Sequence, residues 1–159
     1  MRDKKFIAEH RGGLLTKDNH QKLIRWARKC SEHVLPLFDG DIDRRLIKAL
    51  HIAKDWEYEN ASTGDAMKAS SVAHAVARES SDPASIAVAR SVGHAVATAH
   101  MADHSPGAAL YALKAVKLAG KSINEERLWQ TRQLQQLQTE IVELVLTTMM
   151  NKAKGLKIF

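Results

Sequence analysis

Ser71-Val72-Ala73-His74-Ala75-Val76-Ala77 is written again twenty residues later as Ser91-Val92-Gly93-His94-Ala95-Val96-Ala97. Each copy sets one histidine among small apolar residues, and small residues on a helix face let two backbones approach closely. The copies therefore read as two similar helices of one hairpin, the alanine-rich centre of an all-α bundle. The repeat unit is shorter than the roughly 34 to 47 residues of helical-pair solenoids, so a long superhelix is not expected.

Helix signals extend outward on both sides of this hairpin. Thr16 reads as an N-cap, followed by Leu23, Ile24, Ala27, Cys30, Val34 and Leu37 at the spacing of one helix face, up to about Pro36. After the turn Asp39-Gly40-Asp41, the residues Ile42, Leu46, Ile47, Leu50, Ala53 and Trp56 predict a second helix. A polar stretch, Asn60 to Asp65, precedes a third helix over Ala66–Glu79. Asp82-Pro83 opens the fourth and Ser105-Pro106 the fifth, because a proline early in the first turn has no N–H to leave unpaired. Gly120 ends the fifth helix, and Ser122 with Glu125 gives a capping-box pattern for a long last helix over residues 123–152. In it Leu134, Leu137, Ile141, Leu144 and Thr148 follow a 3-4 spacing beside a wider apolar surface. So broad a stripe points to burial against two neighbours, with a homodimer through that helix as the alternative. No segment has the two-residue period of a strand. The expected architecture is a compact bundle of six helices in a single domain over 1–159, with 1–15 as lead-in and 153–159 as a flexible tail.

Composition fits this reading. A chain of 159 residues, 45% hydrophobic and 26% charged, is the size of one ordinary domain and argues against disorder. The one cysteine, Cys30, excludes an intramolecular disulfide and a four-cysteine zinc site, and suits a buried position in a reducing compartment. The start, Met1 to Glu9, is charged, and nowhere do about 18 apolar residues run together, so no membrane span and a cytoplasmic location are expected. The net charge of +6 suits an acidic partner. Nucleic acid is not expected, because Lys and Arg are spread along the chain and do not alternate with aromatic residues. Lys4-Lys5 and Lys152, Lys154 and Lys157 read as solvated ends.

The histidines carry the densest polar chemistry. His100 and His104, in His100-Met101-Ala102-Asp103-His104, lie four apart, which on one helix would let two imidazoles share a metal. A zinc-protease signature needs glutamate directly after the first histidine, and Met101 stands there. For a hairpin turning near Ser81, His74 and His100 differ in level by roughly 16 to 18 Å at ~1.5 Å per residue. His94 and His100 are roughly 9 Å apart along one helix and about 120° around it, so they cannot share the ion that His104 binds. The structural alternative is that the imidazoles are partly buried and hydrogen-bonded to carbonyls, to Ser71, Ser91 or Asp103, and fix how the alanine-rich helices dock.

Other chemistry is thinner. Cys30 and His33 are one turn apart but have no oxyanion device, so Cys30 reads as core. Asp41, Asp43, Glu125 and Glu126 sit at helix starts, where negative charge complements the helix dipole. Trp26 and Trp129, each with an arginine close by in sequence, read as core residues with interface anchoring as the alternative. No catalytic residue and no cofactor are assigned.

Taken together, His10-Arg11-Gly12-Gly13-Leu14-Leu15, Ile24-Arg25-Trp26-Ala27, Glu32-His33-Val34-Leu35-Pro36, the stretch Gly93 to His104 and Ala109 to Ala115 resemble the Imm-five-like immunity proteins of bacterial polymorphic toxin systems. The likeness covers roughly residues 10 to 130. It implies a small all-helical cytoplasmic protein that binds a cognate toxin and neutralises it by non-covalent occlusion, with no catalytic residues. Inhibitors of nucleases are often acidic, whereas this chain is basic, so a nuclease toxin would have to be blocked in another way. The candidate partner or ligand contacts are His10, Arg11, His94, His100, Asp103 and His104. The alternatives are a metal-dependent helical-bundle enzyme acting through His100 and His104, or a small-ligand-binding protein using them.

Overall fold

The computed structural model describes residues 3–159; Met1 and Arg2, where the expected lead-in begins, lie outside the described residues. Among the described residues seven α-helices follow one another: α1 (Lys17–Val34), α2 (Arg44–Glu57), α3 (Thr63–Glu79), α4 (Pro83–Ala97), α5 (Ser105–Leu118), α6 (Ile123–Leu134) and α7 (Thr139–Ala153). The lead-in makes two 3-10 turns, Lys4–Phe6 and Glu9–Arg11, joined back to the chain by an isolated bridge between Ala8 and Leu15. Among the described residues no helix is long and apolar enough to cross a membrane.

The helix starts follow their caps. Thr16 accepts the Asn19 N–H at 3.2 Å, and Asp82 accepts that of Ser85 at 2.9 Å, with Pro83 as the first residue of α4. Ser62 and Asp65 form a reciprocal capping box, which starts α3 at Thr63, three residues before the expected Ala66. Ser105 does not cap α5: its hydroxyl donates to the Ala102 carbonyl at 2.8 Å, in the 3-10 turn before the helix. Gly120, at φ 74°, takes the left-handed conformation that ends α5.

α4 is the centre. It packs against α1, α2, α3 and α5, and Val88, Val92 and Val96 are fully buried along it. Serines join the closely packed helices: Ser70 donates to the Gly93 carbonyl at 2.9 Å, Ser91 to the Ala108 carbonyl at 2.7 Å, and Ser31 meets Ser91 at 2.8 Å. A second body of core, with Leu23, Trp26, Leu110, Leu113, Leu134 and Val145, lies between α1, α5, α6 and α7.

One expectation is corrected near the end of the chain. The single helix over 123–152 is two helices, so the count is seven rather than six. A straight helix of that length would run about 45 Å, against the roughly 30 Å diameter of a small domain. The chain instead tightens at Leu137, whose N–H bonds the Leu134 carbonyl at 2.9 Å, and restarts from an extended Gln138 at ψ 145°. The break lets α6 and α7 both lie on α5, and buries Leu134, Ile141, Val145 and Met149 inside the chain. At the C-terminal end Ile158 is 1% exposed, Lys117 donates to the Lys157 carbonyl at 2.7 Å, and the Arg127 guanidinium stands 4.7 Å from the centre of the Phe159 ring. Ile158→Ala should therefore cost about 2 kcal/mol or more of unfolding free energy in a urea titration; an unchanged midpoint would show that the C-terminal strap does not hold the core.

Candidate functional site

His74, His94, His104 and His100 form one contiguous chain of half-buried imidazoles, with successive ring centres 5.4, 5.0 and 5.8 Å apart. Linear helix geometry did not anticipate this, and two of its expectations are corrected. His100 and His104 are not on one helix: α4 ends at Ala97, Met101 is extended at φ −144°, and His104 stands at the entry to α5. That reversal returns His104 to His94, whose Nδ1 lies 2.9 Å from the Nδ1 of His104. The histidines of the two copies of the repeat meet as well, although the level difference along the hairpin had set His74 far from the others. α3 and α4 pack with Ser70 opposite Gly93, and His74 reaches one turn along α4 to meet His94 edge to face.

Two glycines provide the space. A Cβ on Gly93 would lie 2.6 Å from Cε1 and Nε2 of His74, and one on Gly107 would lie 2.8 Å from Nδ1 of His94. The one difference between the copies, Ala73 against Gly93, thus seats the first copy's imidazole on the second copy's helix. Gly→Ala inside a helix ordinarily gains about 1 kcal/mol. Here Gly93→Ala should instead destabilise by about 1 to 3 kcal/mol through overpacking, and His74→Ala in the same chain should remove most of that loss in a double-mutant cycle of thermal melts.

Hydrogen bonding fixes one tautomer. Arg90 Nη1 lies 2.8 Å from His74 Nδ1, and a guanidinium can only donate, so Nδ1 is the unprotonated nitrogen of that ring. Burial, reinforced by the charge of Arg90, pushes His74 down to about 4. Burial again, then His104 and His74, pushes His94 down to about 3, while Tyr111 stacks on its ring at 5.2 Å. Both rings are neutral at pH 7. As each folded pKa lies below the unfolded 6.5, their contribution to stability is complete above about pH 6.5 and is lost as the pH falls toward 4 and 3. Unfolding near pH 5 should take up about two protons from these groups, measurable as the pH slope of the denaturation free energy.

Two cavities flank this histidine chain. One, of about 600 Å³, is lined among others by His10, Arg11, Lys17, His20, Trp56 and His100; the other, of about 530 Å³, by His94, Asp103, His104, Tyr111 and Lys152 among others. The fold thus divides the six candidate contacts: His10, Arg11 and His100 share the first cavity, and His94, Asp103 and His104 share the second. Asp103 Oδ1 is buried without a hydrogen-bond partner.

Sequence reasoning passed over His20, which bonds the Thr98 carbonyl through Nε2 at 2.6 Å and tilts against Trp56 with ring centres 4.7 Å apart. Its signal was present, because His20 continues the three- and four-residue spacing of Leu23, Ile24 and Ala27. Glu57 was also missed; its side chain is buried against Arg25, 2.5 Å away, and Arg28, 3.6 Å away. Trp26 is core and donates to the Gln130 carbonyl at 3.0 Å. Cys30 is fully buried, which pushes its thiol up, and His33 turns to Glu126 at 2.7 Å and stacks on Trp129. Among the described residues no group of three or more His, Cys, Asp or Glu side chains is placed to hold a metal ion.

Comparison with known proteins gives one match. The family model described as "Imm-5 like putative immunity protein" matches residues 13–137, well over half of the chain. Neither a curated protein nor a solved structure matches it.

Proposed function

We propose that this chain, which belongs to the Imm-5 like immunity protein family, binds a cognate bacterial toxin domain in the cytoplasm and neutralises it by non-covalent occlusion. The observation that carries this reading is the family match itself. The matched residues include α1 to α6, both copies of the histidine phrase, His100 and His104. Affinity in such a complex comes from a few buried anchors and from shape, and no cofactor is needed. Coexpression with candidate toxin domains from neighbouring genes tests the reading: with the cognate one growth should be restored and the two proteins should copurify. Continued toxicity with the immunity protein folded and abundant would refute it.

A small-ligand-binding role is the second reading, supported by the buried, unpartnered Asp103 Oδ1 in a cavity with His94 and His104. A buried carboxylate oxygen without a donor is costly unless a ligand or water completes it.

A further inference from the structure

The larger cavity opens beside a loop that the lead-in builds with some care. The bridge from Ala8 to Leu15 closes it, Gly12 turns it at φ 84°, and the Gly13 N–H bonds the Ala8 carbonyl at 3.1 Å. A Cβ on Gly13 would sit 2.0 Å from the Ile7 carbonyl oxygen, so only glycine allows this close approach. The loop thereby presents His10 and Arg11, both exposed, on a fixed backbone at the cavity wall.

Charges around this cavity are unevenly satisfied. Lys17 is paired with Glu59 on the same wall, whereas among the described residues neither Arg11 nor Glu9 is in an ion pair. Glu9 also lines the cavity, on the same 3-10 turn as His10 and Arg11. Deeper in, burial lowers the pKa of His20 against the opposing bond to the Thr98 carbonyl, and the positive field of His10 and Arg11 lowers it further. The cavity floor is apolar at Phe6 and Leu15, and Leu14 and Tyr58, sequence neighbours of lining residues, are 66% and 58% exposed. An exposed arginine and a half-buried tryptophan, Trp56, lining one cavity have the composition of a protein-interface anchor.

We propose that this cavity mouth is the toxin-docking surface, and that it receives an acidic side chain of the toxin, its carboxylate against Arg11 and His10. The proposal rests on the immunity reading above. Charge complementarity selects the occupant, since the chain as a whole carries +6 and Arg11, exposed on this wall, is in no ion pair among the described residues.

Calorimetry of the purified chain with the toxin domain that the coexpression identifies tests the assignment. Wild-type binding should weaken as NaCl is raised, and Arg11→Glu should weaken it at least tenfold while leaving the melting temperature unchanged. Leu14→Ser should weaken binding too, whereas Lys121→Glu, an exposed cation elsewhere, should leave it within threefold. Wild-type binding with Arg11→Glu equally tight would overturn this docking surface and leave the immunity reading standing; no wild-type binding would remove both. Sodium acetate serves as a free-carboxylate probe. Stabilisation by acetate that depends on Arg11, with toxin affinity unaffected by Arg11→Glu, would overturn the proposal in favour of a small-carboxylate site.

Discussion

The close approach of α3, α4 and α5 is the constraint on which the rest depends. Alanine, glycine and serine line the contact, and Ser70 and Ser91 each donate a hydroxyl to a carbonyl of the neighbouring helix, so these buried polar groups are satisfied across the seam. Because these helices lie so near one another, a side chain as large as imidazole fits between them only where a glycine faces it. Gly93 and Gly107 provide those places for His74 and His94. The remaining helices supply the bulk that the small residues lack, with α1, α2, α6 and α7 carrying Leu23, Trp26, Leu46, Leu134 and Val145 into the core.

The same closeness sets the electrostatics. Burial and the nearby positive charge of Arg90 keep the His74 and His94 rings in their neutral forms within a basic protein. Free positive charge is pushed to the periphery, where Arg11 stands on its glycine-built loop. The interior therefore contributes packing and orientation, and the rim contributes the charge that a partner meets.

Helix identity was largely legible in the sequence, because caps and apolar spacing act within a few residues. Thr16, Asp43, Asp82 and Ser122 cap as their types require. Ser105 did not, since a 3-10 turn ending at His104 took its hydroxyl. The break after Leu134 was also invisible: nothing local stops a helix at Gln135-Gln136, and the 3-4 spacing continues through it. What stops it is the size of the body that α6 and α7 have to cover.

The candidate site divides in the same way. Sequence picked out His10, Arg11, His94, His100, Asp103 and His104 by type and phrase, and by itself determined the all-helical class, the small-residue hairpin and the chemistry available to it. It treated the histidines as points on straight helices, and on that assumption let His100 and His104 meet but kept His74 and His94 away from them. Tertiary structure alone decided that the chain reverses between Ala97 and His104, that His74 lies over Gly93, and that the six residues divide between two cavities. Those outcomes depend on which backbones come into contact and how closely, a property of packing between distant segments that no local spacing encodes.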